Sequence, residues 1–92
     1  MSLRFLAEVG IYFPRRDAIK ITALTPSSHI DCYATRSALT AIGCSEIDTP
    51  LELVQRFQQH RLSFELAALI KYRRATRQPT ALDIAGEDLD GL

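Results

Sequence analysis

The sequence predicts an α+β fold: an antiparallel sheet built on a β-hairpin, packed on one face by a short helix and a long C-terminal helix, with a closing strand. Three observations carry this expectation. Apolar and polar residues alternate through Ala18 to Leu24 and again through His29 to Ala34, on either side of a Thr25-Pro26-Ser27-Ser28 turn. A strong helix start at Thr49-Pro50-Leu51-Glu52 meets no breaker before Gln78-Pro79. The chain has 92 residues, 47% of them hydrophobic, which suffices for one modest core and not for two. Residues 1–92 are therefore expected to fold as one domain, without internal repeat or linker.

Taken in order, Leu3 to Glu8 reads as a strand, Ile11-Tyr12-Phe13 as a short extended piece and Pro14-Arg15-Arg16-Asp17 as a break. The hairpin follows. Closing its turn at Thr25 and Ser28 sets Ile19 opposite Ala34, Ile21 opposite Cys32 and Ala23 opposite Ile30, so one face is wholly apolar. The other face carries Lys20 with Tyr33, Thr22 with Asp31 and Leu24 with His29, a mixed set fit for solvent. Thr35 is placed to cap a helix over Arg36 to Ile42, which Gly43 would end in the left-handed conformation. Thr49, Pro50 and Glu52 form a capping box for a second helix of about 26 residues, about 39 Å at 1.5 Å per residue. Thr80 to Ile84 reads as the closing strand, and residues 85–92 as a flexible acidic tail.

On a helical wheel Val54, Phe57, Phe64, Ala68 and Tyr72 make the inner stripe of the long helix, and Arg56 falls with the polar residues. Two charges intrude on the apolar side. Arg61 and Glu65 are four apart and can touch, yet the order Arg before Glu is the less favourable one for the helix dipole. One reading makes them a partly buried ion pair that also caps a neighbouring loop. The other gathers Asp31, His60, Arg61 and Glu65 into a small-anion site, because a guanidinium fork suits carboxylate or phosphate.

Composition and spacing exclude much else. The longest uninterrupted apolar run, Leu66 to Ile70, falls far short of the roughly 18 to 20 residues that cross a bilayer, so no membrane span is expected. Glu8 interrupts the start before an apolar leader can form, and a cytoplasmic location is expected. Cys32 and Cys44 lack redox or zinc spacing and read as buried free thiols, while His29 and His60 stand apart from any ligand set, so no metal is expected. No nucleophile elbow or phosphate-cradling glycine loop exists, and Gly10, Gly43, Gly86 and Gly91 are scattered. Catalysis and a cofactor are not expected.

The order of motifs resembles the family of small bacterial proteins called domain of unknown function 1488. The likeness rests on Ala18-Ile19-Lys20-Ile21, His29-Ile30-Asp31-Cys32-Tyr33-Ala34, Ser37-Ala38-Leu39 and Gly43. Downstream it rests on Phe57, His60-Arg61, Glu65, Ala68, Lys71-Tyr72 and Asp88-Leu89. It covers roughly residues 11 to 89 and departs at the hairpin turn, where the family often has a glycine and this chain has Thr25-Pro26-Ser27-Ser28. The resemblance implies a hairpin-based sheet covered by helices, with no established activity.

Eleven basic and eleven acidic residues cancel, which leaves no overall field for a polyanion. Locally Lys71, Arg73, Arg74 and Arg77 form a basic patch, and Asp83, Glu87, Asp88 and Asp90 an acidic one that could neutralise it. Three function classes stay open. The first is a non-catalytic interaction or regulatory module, with Leu62, Leu66, Leu69 and Ile70 as its patch and a homodimer as the simplest cover. The second is a nucleic-acid-binding accessory protein using the basic patch, which a single interleaved aromatic, Tyr72, supports poorly. The third is a small-anion binder, or an enzyme acting on such an anion, centred on Arg61.

Overall fold

Alternating side chains place the centre of the fold. In the computed structural model, which describes residues 3–6, 8–43 and 45–90, strands β3 (Ala18–Leu24) and β4 (His29–Thr35) form an antiparallel hairpin in the expected register. Ile19, Ile21, Ala23, Ile30, Cys32 and Ala34 are all buried on one face. The turn needs no glycine because the Thr25 hydroxyl organises it: Thr25 Oγ1 accepts from the backbone N–H of Ser28 at 2.9 Å and of Ser27 at 3.3 Å.

On the other side of β3 lie two short strands, β1 (Arg4–Phe5) against Ala23 and Leu24, and β2 (Ile11–Phe13) against Ala18 to Lys20. The strand expected over Leu3 to Glu8 is thus only two residues long, and Ala7 lies outside the described residues. At Gly10 the backbone passes so close to the core that a Cβ would collide with Ile19 and crowd Phe57, which favours a glycine there.

Helix α1 (Arg36–Gly43) follows β4 directly. Thr35 Oγ1 accepts from the N–H of Ala38 at 3.3 Å and donates to the carbonyl of Ile84 at 2.9 Å, so the cap also ties α1 to the far end of the chain. Gly43 does not supply a left-handed residue. It remains within α1, and a Cβ there would strike the Arg56 guanidinium, so the absent side chain makes room for an arginine. Cys44 lies outside the described residues.

The long helix is in fact two, α2 (Pro50–Gln59) and α3 (Arg61–Arg74), interrupted at His60, whose φ of −118° and ψ of 22° leave the helical range. The His60 N–H is shared between the carbonyls of Arg56 and Phe57, and its own carbonyl starts α3 by accepting from Ser63 and Phe64. Bending lets α2 cover β2 and β3 while α3 covers β5. Phe57 and Phe64 bridge the bend, ring centroids 5.4 Å apart. The capping box is also altered: Thr49 Oγ1 accepts from Glu52 N as expected, but the Glu52 carboxylate accepts from Asp48 N, one residue before the cap.

The closing strand β5 (Ala81–Ile84) pairs with β4 in parallel, making a mostly antiparallel sheet. Helices α1 to α3 intervene between the two strands, and a crossover of that length returns the chain in the same direction. Leu82 and Ile84 join the core, with Leu39, Leu53, Phe57, Phe64, Ala67, Ala68 and Tyr72 packed above them. The segment expected as a tail instead folds over Gly86–Leu89 into a 3-10 helix seated between α1 and α3. The Asp88 carboxylate holds it, accepting from Ala85 N at 2.9 Å and pairing with Lys71 Nζ at 3.0 Å. Gly91 and Leu92 lie outside the described residues.

Candidate functional site

Arg61 opens α3 and points away from the helix toward the segment that joins β1 to β2. Its Nε donates to Glu65 Oε2 at 2.8 Å, its Nη2 to the Leu6 carbonyl at 2.7 Å, and its Nη1 to the Glu8 carbonyl. The guanidinium also lies over the Phe57 ring, 5.7 Å from the centroid. The side chains of Arg61 and Glu65 are 18% and 23% exposed, so the pair is partly withdrawn from water. The guanidinium fork is thus engaged by this chain's own oxygens. No such engagement reaches Asp31, which alternation puts on the opposite sheet face between buried Ile30 and Cys32. His60 marks the bend beside Arg61 and contributes its backbone. Of the four residues grouped as an anion site, Arg61 and Glu65 pair, His60 borders a shallow surface pocket with Arg61, and Asp31 stands apart from them on the sheet.

Among the leucines, Leu62 is 81% and Leu66 46% exposed, on the side of α3 turned away from Phe64, Ala68 and Tyr72. Leu69 continues that outer stripe one turn on and is half-buried. Ile70 departs from it: together with Ala67, Lys71 and Arg74 it faces Glu87, Asp88 and Asp90 across a groove. The basic patch is likewise divided. Lys71 Nζ is bound by the Asp83 carbonyl at 2.6 Å and the Asp88 carboxylate, whereas Arg73, Arg74 and Arg77 stand exposed.

The sequence reading missed two side-chain clusters. Asp17, at φ 48°, accepts from Tyr12 Oη at 2.8 Å and from Arg36 Nε at 2.6 Å, and Arg36 Nη1 donates to the Ile47 carbonyl. Hydrogen bonds from Arg36 and Tyr12 hold the Asp17 carboxyl below its ordinary pKa, and the bond to Asp17 raises that of Tyr12. Arg36 at the first position of α1 was a usable signal, because a cation there opposes the helix dipole and calls for an acid. On the open sheet face Arg16 stacks on Tyr33, 4.4 Å from the ring centroid, and pairs with Asp83 at 2.6 Å. With Phe13 against the same ring, Tyr33 is sealed on the face expected to be solvated.

Burial and the nearby Asp31 charge push the Cys32 thiol up to about 12, which keeps it neutral and unreactive. Among the described residues no three His, Cys, Asp or Glu side chains gather as a metal would need. No helix among them is long and apolar enough to cross a membrane.

These placements define a class: a small α+β domain whose polar clusters tie its own loops, with one apolar helix face left outside. A solved structure is similar to this chain in fold. It is a protein of unknown function of the domain of unknown function 1488 family from Shewanella loihica PV-4, 24% identical, with a TM-score of 0.73 over 90% of this chain and 91% of that one. The fold of this chain is the fold of that protein. No family model and no curated protein matches the chain.

Proposed function

We propose that the protein is a cytosolic, non-catalytic interaction module that pairs with a second copy of itself through the outer face of α3. The exposure of Leu62 and Leu66, one turn apart on one stripe, carries this reading. Apolar surface of this kind is costly to leave in water, and a two-fold contact buries the same stripe on both copies at once. With no net charge, two copies meet no long-range repulsion. The Arg61 fork, engaged as it is by Glu65, Leu6 and Glu8, favours a structural role over anion binding. Lys71, drawn off by Asp83 and Asp88, weakens the nucleic-acid reading.

Light scattering coupled to size exclusion tests the pairing. A mass near twice 10.3 kDa is expected, falling to the monomer in Leu66→Glu while the circular dichroism spectrum stays unchanged. A monomer mass at high protein concentration rejects it.

A further inference from the structure

The 3-10 helix Gly86–Leu89 lies against both α1 and α3. None of its residues is fully buried, and open space flanks it on both sides. One cavity of about 400 Å³ lies toward α3, lined by Ile70, Lys71, Arg74, Glu87 and Asp90 among others. A second of about 270 Å³ lies toward α1, lined by Ala41, Ile42, Ser63, Gly86, Leu89 and Asp90. The segment is anchored at three points: Leu89 packs partly against the core, Asp88 pairs with Lys71, and Gly86 lies against Ser37 and Ala41 of α1.

We propose that this segment is a displaceable plug, and that the groove it fills is a docking site for an acidic peptide of a partner protein, one carrying an apolar residue flanked by carboxylates. The chemistry of the present occupant argues for that partner. Apolar side chains line both sides of the segment: Ile42 beside Leu89 toward α1, and Ala67 with Ile70 toward α3. The rim on the α3 side is basic, from Lys71 and Arg74, and faces the carboxylates of Glu87, Asp88 and Asp90. The plug rests on α1 and α3 without burying any of its own residues, and local opening costs least where a segment makes few buried contacts. A tethered plug competes at high effective concentration, so it sets a threshold that a partner must exceed. This surface lies on a different flank of α3 from the Leu62 and Leu66 stripe, so either can fail without the other.

The probe is a fluorescein-labelled peptide copying residues 85–92, added to the full chain and followed by anisotropy. Leu89→Asp in the chain is expected to loosen the plug and raise peptide affinity at least about tenfold over the wild type, by removing tethered competition. The same exchange placed in the peptide abolishes binding. A second variant guards against misfolding of the first. A Cβ on Gly86 would stand 3.5 Å from that of Ala41, within reach of a disulfide, so Ala41→Cys with Gly86→Cys in a Cys44→Ser background locks the plug on oxidation. The reduced form should bind the peptide and the oxidised form should not. Equal binding by the two forms, or no binding by either the reduced form or Leu89→Asp, overturns the proposal. So does amide-exchange protection of residues 86–89 that matches the β3–β4 core.

Discussion

Three arginines do similar work at different ends of the molecule. Arg36 and Arg61 each occupy the first position of a helix, where a cation is unfavourable, and each is answered by a carboxylate, Asp17 and Glu65 respectively. Each then spends its remaining donors on backbone carbonyls of a loop that lacks regular partners: Ile47 for Arg36, Leu6 and Glu8 for Arg61. Arg56, placed by the wheel among solvent-facing residues, instead turns back to the end of α1, donating to the Leu39 and Ser45 carbonyls at 3.1 and 3.0 Å. The planar fork of arginine suits all three sites, since it bonds in several directions at once. Removing Arg61 therefore leaves a half-buried Glu65 without its cation and two carbonyls without their donor. Arg61→Ala is expected to cost about 2 to 3 kcal/mol in urea unfolding, against less than about 1 for Glu52→Gln, whose carboxylate is exposed. Equal losses for the two variants would show that the clamp adds nothing beyond an ordinary surface contact.

At the scale of elements, the hairpin rests most directly on sequence pattern. Its register follows from period-two burial alone, and Ile21, 3% exposed opposite Cys32, sits in the middle of the apolar face. Ile21→Ala is expected to cost about 2 to 5 kcal/mol, and Thr22→Ala, on the half-exposed face, much less; both are read from denaturant midpoints. The pattern was silent on what depends on distant partners. Nothing local marks His60 as a bend, because the residues around it are all compatible with helix; the break separates a helix that covers β2 and β3 from one that covers β5, partners far apart in sequence. Gly43 looked like a helix terminator because its tolerance for Arg56 is visible only once α2 lies against α1. The parallel sense of β5 likewise depends on the helices that intervene. Of the candidate site, the Arg61 and Glu65 contact was legible from spacing four apart, whereas the Leu6 and Glu8 carbonyls, supplied by a segment far away in sequence, were not.

Across the whole molecule, chain closure depends on β5. Its pairing sets Leu82 beside Cys32 and Ile84 beside Ala34, with all three helices contained between the two strands in sequence. Long-range pairing of this kind is costly in loop entropy until the enclosed elements have packed, so β5 and the helices gain their stability together. Thr35 reinforces the joint: its hydroxyl caps α1 while donating to the Ile84 carbonyl. Loss of β5 would strip the floor from α3 and open the β4 edge to water. Unfolding should therefore be one cooperative event, with the far-ultraviolet signal of the helices and the fluorescence of Tyr33 and Tyr72, both nearly buried, changing at the same denaturant concentration. Ile84, 1% exposed, provides the decisive variant. Ile84→Ala is expected to shift both signals together by about 2 to 5 kcal/mol. If the helical signal stayed at its wild-type midpoint while the tyrosine signal moved, β5 and the helices would be separate units, and the closing strand would be an attachment to the fold instead of its keystone.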